Sequence, residues 1–554
     1  MDYNVIIEPL RAAQACIACR KQKRKCDKAL PICMLCSRMG RSCDYPDTSN
    51  EVHHGGEELA RLKERMQELE KRLEDSSASN SSGASEVGQR LSWSTGKGLH
   101  DVLGMEQRDG GGSNFPATFF LDVEAFRGSL SSIPKPLLSV PEEMINIMGG
   151  PTEIQNMLDE YFQSIHIWLP VISKIRLYNA LATSERSADL ALLYGAIYLM
   201  CKSPEMLVSP ADTPLYWMVK HFLVTAEMRG LLSIRLLQAA LLITAYEIGH
   251  GIYPAAYLSV GHCGRLGQAM GLHDRQNTPK AIRLTGTWGA HEEIKRTWQV
   301  PGGLLQLRLN EANPILRYVN LGSKGRPLSC GDFVNGETLP CEDSLWNAGE
   351  VTTSQPIFVT SPTKVKVGPF ARTCQASYLM GKVIEHRNDH DLVAPFRHAN
   401  ALQLNRTIRA LSSLLPGEFE MAPGRLSTAM ALCFSTILEL YDPYCCDLTN
   451  GGQNTAEETE MQAVTIDGIK AVSQEVVQFG ECLRRTLTYG VSAVSPLICD
   501  CLYQCSANLT WFANETGDAQ LRQSVSQVTG LLRMINERWK VAEIDPDIRS
   551  FLGD

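Results

Sequence analysis

Between Cys16 and Cys43 the chain sets six cysteines in a repeat: Cys16, Cys19 and Cys26 recur seventeen residues later as Cys33, Cys36 and Cys43. Each half is a pair separated by two residues, followed after six more by a third cysteine. Six thiolates in so short a stretch are metal ligands, and zinc takes four of them in a tetrahedral shell. One zinc would leave two cysteines idle, whereas two zincs need eight ligand positions from six sulfurs. Two sulfurs must therefore bridge. The repeat nominates the leading cysteine of each half, giving one zinc held by Cys16, Cys19, Cys26 and Cys33 and another held by Cys33, Cys36, Cys43 and Cys16. A closed thiolate shell offers no position to water or substrate, so such a metal is structural.

Basic charge collects on the same stretch. Eight Lys and Arg face a single acid, Asp27, between Cys16 and Cys43, although the whole chain carries a formal charge of −8. A metal-stapled basic unit on an acidic chain is the footprint of a phosphate-binding surface. Arg20, Lys21, Lys23, Arg24 and Lys25 fall between the first cysteine pair and Cys26, where a short helix should begin at the pair. Without the cysteines this run would read as a nuclear-import signal or a solvated face. With them, import is an added role.

The run Cys16, Cys19, Arg20, Lys21, Lys23, Arg24, Lys25, Cys26, Asp27, then Pro31, Cys33, Cys36, Arg38, Arg41, Cys43 and Tyr45, resembles the fungal binuclear zinc-cluster (Zn2Cys6) transcription factors. The resemblance implies a helix in the major groove of double-stranded DNA, with Lys23, four places after Cys19, reading guanines of a CGG triplet. Adjacent guanines present rows of O6 and N7 acceptors that a Lys or Arg donor matches. Arg20, Lys25, Arg38 and Arg41 are left to hold phosphates. Gln22 stands where many members carry a second base-reading lysine, and Lys21 and Arg24 are its candidate substitutes. The resemblance further implies a nuclear regulator that works with the transcription machinery on a metabolic gene set, such as a secondary-metabolite cluster.

Taken in order, a leader covers 1–15, the cluster 16–43 and a polar linker 44–56. Within 57–75, Leu59, Leu62, Met66, Leu69 and Leu73 alternate steps of three and four, the seam of a short coiled coil. Glu58 would face Lys63 of a second copy and Arg65 would face Glu70, pairs of opposite sign that favour a homodimer. The competing reading is an amphipathic helix docked on the large domain, because so short a seam is marginal alone. Two clusters joined in this way would address a pair of CGG-like half-sites at fixed spacing. Residues 76–115, rich in Ser and Gly, read as a disordered linker.

Beyond that linker apolar residues recur at helical spacing, in segments such as Thr152–Leu169, Ala188–Cys201, Leu402–Leu415 and Gly468–Leu487. An all-α domain over 116–445 and a helical C-terminal region over 446–554 are expected. The fold class is then a small zinc-stapled binuclear cluster module, a short coiled coil and a large all-α domain. Asp159–Phe162 with Trp168, Leu236–Ala239, Gly251–Tyr257, Glu293–Trp298 and Gly325–Leu328 resemble the middle homology domain of the same regulators. After Trp298 that family would continue a helix, but Pro301, Gly302, Gly303 and Pro314 break it. Residues 299–313 therefore read as an inserted loop or as sequence that a mature message lacks. The tail from Val541 interleaves Glu543, Asp545 and Asp547 with Ile544, Ile548 and Phe551, as activation segments do, against the competing reading of a docked tail.

No apolar run of about eighteen residues is free of charge, so no membrane span is expected. Met1 to Arg11 lacks a signal-peptide core, which points to a reducing compartment and to free thiols outside the cluster. Cys499, Cys501 and Cys505 lack a fourth ligand, and His250, His262 and His273 read as packing or surface histidines. Metalloprotease, P-loop, serine-hydrolase and dinucleotide signatures are missing from suitable contexts, so an enzyme is not expected. The choice lies between a zinc-dependent, sequence-specific transcription factor of the nucleus and a zinc-stabilised protein-interaction module without sequence readout.

Overall fold

The computed structural model describes residues 14–45 except 22–25 and 39–41, and 115–543 except 129–132, 135, 205–207, 273–280, 282–286, 299–314, 316–317, 320, 322–337, 352–355, 362–364, 390–393, 422, 446–455 and 488–490. The seam positions Leu59, Leu62, Met66, Leu69 and Leu73, the segment 299–313 and the tail beyond Glu543 thus lie outside the described residues. The chain divides into two compact units, Met1–Gly110 and Gly111–Asp554. The first contains the cysteine module. The second is a large helical domain with no strand among its described residues; Thr338 meets Phe358 through an isolated bridge.

Two helices of the second unit are apolar on nearly every side, which suits only a core position. Ala188–Cys201 buries ten of its fourteen residues, and Ile234–Gly249 buries every residue from Leu236 to Gly249. They pack on each other, flanked by Pro214–Met228 and Ala255–Ala269. The outer helices are amphipathic: Pro151–Gln163 turns only Met157, Leu158 and Tyr161 inward. The single helix expected over Thr152–Leu169 breaks at Ser164, whose hydroxyl donates to the Glu160 carbonyl at 2.7 Å, and the short helix Ile165–Trp168 follows. Ser164 itself leaves the helical region, at φ −121° and ψ −84°.

Toward the C-terminus, Pro369–Asn388 lies along Pro423–Tyr441. Ala456–Leu487 follows, 32 residues long, or about 48 Å at a rise of 1.5 Å per residue. It begins at Ala456, in the stretch that the sequence offers as an acidic loop or a helix start, twelve residues before the apolar repeat from Gly468. Ile469, Val472, Val476, Phe479 and Leu483 form its buried stripe. Cys499–Thr516 and Ala519–Asn536 close the domain as a hairpin, turned by Gly517 at φ +70° and capped by Asp518, whose carboxylate accepts from the Gln520 amide at 2.7 Å.

Charges inside this unit are paired, as burial demands. The Arg296 guanidinium, wholly buried, donates to Asp343 at 2.6 Å, Glu292 at 3.1 Å and the Cys341 carbonyl at 2.8 Å, and lies 4.2 Å over the Trp346 ring. Arg372 grips both oxygens of Glu418 at 2.7 and 3.0 Å. Glu247 accepts from Tyr216 at 2.8 Å and from Lys220 at 2.6 Å.

Arg538 and Trp539, after the last long helix, clasp earlier helices of the domain. Trp539 is fully buried; its indole donates to the Val494 carbonyl at 2.7 Å and its ring meets Trp168 edge to face. Gly249 makes room for it, since a Cβ there would lie 2.3 Å from the ring. Arg538 stacks 4.2 Å over the same ring and donates to the carbonyls of Met200 and Lys202. Trp539→Ala should therefore destabilise this unit by about 3–5 kcal/mol, the range for emptying an aromatic core site. Urea unfolding followed by helical circular dichroism would measure it, and a loss under about 1 kcal/mol would mean that the clasp is marginal.

Candidate metal centre and nucleic-acid interface

Among the described residues of the module, only cysteines form a core. Cys16, Cys19, Cys33 and Cys36 are fully buried, while Ile17, Leu30, Ile32 and Met34 stay between 42% and 68% exposed. The sulfur of Cys16 lies 3.8 Å from that of Cys33 and 3.7 Å from that of Cys36; Cys19 lies 3.7 Å from Cys33 and 3.9 Å from Cys36. Sulfurs about 2.3 Å from a tetrahedral zinc are about 3.8 Å from one another, so the Cys16–Cys33, Cys16–Cys36 and Cys19–Cys33 spacings suit zinc. The ligand atoms fall into two sets, Cys16, Cys19, Cys26 and Cys33, and Cys16, Cys33, Cys36 and Cys43, each with all its atoms within 4.8 Å of one another. Cys16 and Cys33 belong to both. No other group of three or more metal-competent side chains occurs among the described residues. His262 instead pairs with Glu227 at 2.6 Å, His250 packs against Trp539, and Cys499, Cys501 and Cys505 are buried on one helix.

The sequence repeat becomes a local pseudo-symmetry. Helices Ile17–Lys21 and Met34–Arg38 each start directly after a leading cysteine, whose carbonyl accepts from Arg20 in one half and Ser37 in the other, both at 3.0 Å. Each half also supports the helix start of the other. The Asp27 carboxylate accepts from the Met34 amide at 3.0 Å, and the Asp44 carbonyl accepts from the Ile17 amide at 2.8 Å. Tyr45 then donates to the Ala29 carbonyl at 2.8 Å, fastening the end of the module to its middle loop. Sequence reasoning placed Asp27 and Tyr45 in the motif run but gave none of these three residues a role. The signal was present, since an Asp follows the third cysteine of both halves.

Burial raises the Cys16 thiol and brings that of Cys19 to about 11. For Cys26 burial is outweighed by the backbone amides of Cys16 and Lys28, and its thiol falls to about 7. A bound zinc displaces these protons, and because the ligands are held only in the folded module, its binding energy is folding energy.

Arg20 and Lys21 lie exposed in the last turn of the first helix, where Arg20 donates to Gln14 at 3.3 Å. Arg38 ends the second helix; Lys23, Arg24, Lys25 and Arg41 lie outside the described residues. The seventeen-residue repeat makes Arg38 the counterpart of Lys21 and Arg41 that of Arg24, so both halves carry bases after their helix. No described helix is long and apolar enough to cross a membrane.

A cysteine cluster whose sulfurs are spaced for zinc, with Arg20 and Lys21 exposed beside it and a large helical domain later in the chain, defines a zinc-cluster regulator rather than an enzyme. Residues 14–51 match the fungal Zn(2)-Cys(6) binuclear cluster domain. The chain is 40% identical over 183 residues to the transcription factor BOA15 of Botryotinia fuckeliana, covering 32% of this chain and 98% of that protein. It is 25% identical over 454 residues to the transcription factor tazR of Aspergillus terreus, covering 67% of this chain and 69% of the relative. It is 23% identical over 305 residues to the depudecin biosynthesis cluster-specific transcription activator DEP6 of Fusarium langsethiae, about half of each chain at 47% and 49%. The chain belongs to the fungal Zn2Cys6 binuclear cluster family of transcription factors.

Because Cys33 serves both ligand sets and Cys43 only one, Cys33→Ala should strip more zinc from the purified full-length chain than Cys43→Ala. Metal analysis per chain reads this directly. Equal zinc content in the two variants would contradict the sharing.

Proposed function

We propose that this chain is a zinc-dependent, sequence-specific DNA-binding transcription factor that holds two zinc ions, acts in the nucleus as a homodimer on paired CGG-like half-sites, and regulates a secondary-metabolite gene cluster through the transcription machinery. The observation that carries the reading is a module whose core is sulfur, in two sets sharing Cys16 and Cys33, with Arg20 and Lys21 exposed in the last turn of its first helix. The zinc ions supply folding energy to a unit that has little apolar surface to bury. Lys23 is assigned to guanine and Arg20, Lys25, Arg38 and Arg41 to phosphate, with Lys21 and Arg24 as further base readers in place of Gln22. Residues 57–75, with Leu59, Leu62, Met66, Leu69 and Leu73 at the seam, are assigned to pairing, which sets the distance between half-sites. The printed name of the depudecin relative supports control of a biosynthetic cluster.

The test is binding of the zinc-loaded full-length protein to a randomised DNA pool. Recovery of paired CGG-like triplets is expected. Lys23→Ala should cost about 1–3 kcal/mol at the triplet and relax its sequence. Arg20→Ala should weaken all sequences alike and reduce the salt slope by about 1. Equal binding to every sequence, lost at physiological salt, would favour the protein-interaction module instead. For the dimer, mixing long and short tagged copies on one DNA should give a complex of intermediate mobility that disappears in Leu62→Glu.

A further inference from the structure

In the helical unit a cleft of about 500 Å³ opens beside the helices Pro151–Gln163 and Lys174–Ala182, with Asn347 and Arg425 completing its lining. That volume is in the range of small-molecule sites. Its lining contains two exposed cations, Lys174 and Arg425, and no acidic side chain. One wall is aromatic: Phe162 and Tyr178 stack with centroids 5.6 Å apart and planes 28° from parallel, and the Lys174 ammonium sits 5.5 Å from the first ring and 5.8 Å from the second. Asp159, a nearby acid, takes the Tyr178 hydroxyl and does not line the cleft.

His166 is the buried member of the lining, 5% exposed, stacked on Trp346 at 5.8 Å and edge to face with Phe162 at 4.8 Å. Burial lowers its pKa to about 4, so it contributes a neutral imidazole at physiological pH. Its Nε2 lies 3.0 Å from Asn347 Oδ1, while its Nδ1 is buried with no hydrogen-bond partner. When Nε2 is the donor to that amide oxygen, Nδ1 is left as an acceptor without a donor. That nitrogen is shut off from solvent and hence from the cleft, so the part His166 plays at the lining is to hold Asn347 in place.

A packing defect would be lined by apolar groups alone. Here a flat aromatic wall, two cations and two side-chain amides converge on one volume. We propose that this cleft binds a small organic anion with a flat conjugated body, its carboxylate held by Lys174 and Arg425, its ring laid against Phe162 and Tyr178, and a hydroxyl directed toward the amides of Asn179 and Asn347. Arg and Lys supply the charge-assisted bonds and the rings supply the stacking surface. The site lies within the helical unit, and its occupancy does not depend on whether the cysteine module reads DNA.

The test uses the purified full-length protein and a fluorescent probe, 6-hydroxy-2-naphthoate, with its uncharged carboxamide as control. Saturable binding of the acid is expected, with the carboxamide weaker by about tenfold, the loss of a charge-assisted contact. Lys174→Gln combined with Arg425→Gln should weaken the acid to the level of the carboxamide. Both positions are exposed, so the unfolding temperature should hold, and Asn179→Trp should block both probes by filling the cleft. Absence of saturable binding, equal affinity for acid and carboxamide, or acid affinity unchanged in the double variant would each overturn the proposal.

Discussion

Sulfur takes the place of a hydrophobic core in the N-terminal module, and everything else about that module follows from the substitution. A unit of some thirty residues cannot bury enough apolar surface to fold unaided, which is why chains of under about 40 residues depend on metals or disulfides. Here four cysteines are wholly buried while Ile17, Leu30, Ile32 and Met34 face outward. Because Cys16 and Cys33 fall in both ligand sets, neither half can be completed without the other. Asp27 and Asp44 repeat the same logic in hydrogen bonds, each supporting the helix start of the opposite half. A surface built around such an interior keeps its basic side chains for other partners, since thiolates satisfy the metal.

The helical unit solves the opposite problem. Its apolar core is ample, and its difficulty is to place charged side chains inside that core. Arg296 shows the solution: three oxygen acceptors from Glu292, Asp343 and Cys341 surround the guanidinium, and Trp346 covers its face. Breaking one member of such a set leaves an uncompensated buried charge, which costs more than the pair contributes. Asp343 uses its second oxygen to accept from the Phe370 amide at 3.1 Å, so the same carboxylate anchors the start of Pro369–Asn388.

The cysteine pattern was legible because metal coordination fixes ligand number and therefore spacing, a constraint that survives any change in the rest of the chain. Helices apolar on all sides were legible too, and Ala188–Cys201 has the bounds its sequence suggests. Where apolar periodicity is weak the expected helix came out short at its start: Ala394–Ser412 begins well before Leu402, whereas the acidic stretch from Ala456, legible as a loop or a helix start, does open the helix Ala456–Leu487. The break at Ser164 lies within a continuous apolar repeat, and a hydrophobic pattern does not register it. Gly249 and Trp539 meet across almost three hundred residues, and nothing local in either segment announces the other. The cleft was hidden for the same reason, since Lys174, Asn347 and Arg425 are brought together only by the tertiary fold.

The cleft and the buried charge network share a helix. Asp343–Ala348 carries Asp343, which holds Arg296; Trp346, which lies over the guanidinium and stacks on His166; and Asn347, which bonds His166 from the lining of the cleft. A ligand that fixes Asn347 therefore acts on the same six-residue helix that anchors both Arg296 and the Phe370 amide. Coupling of this kind needs an element with two arrangements if it is to switch. A fully bonded guanidinium favours one arrangement, because a shift of Asp343 removes one of its two carboxylate partners and leaves Glu292 alone to balance the buried charge. Ligand binding at the cleft would then stiffen the join between Trp288–Trp298 and Pro369–Asn388 rather than move it, and its effect on the domain would be to raise the free energy of local opening there.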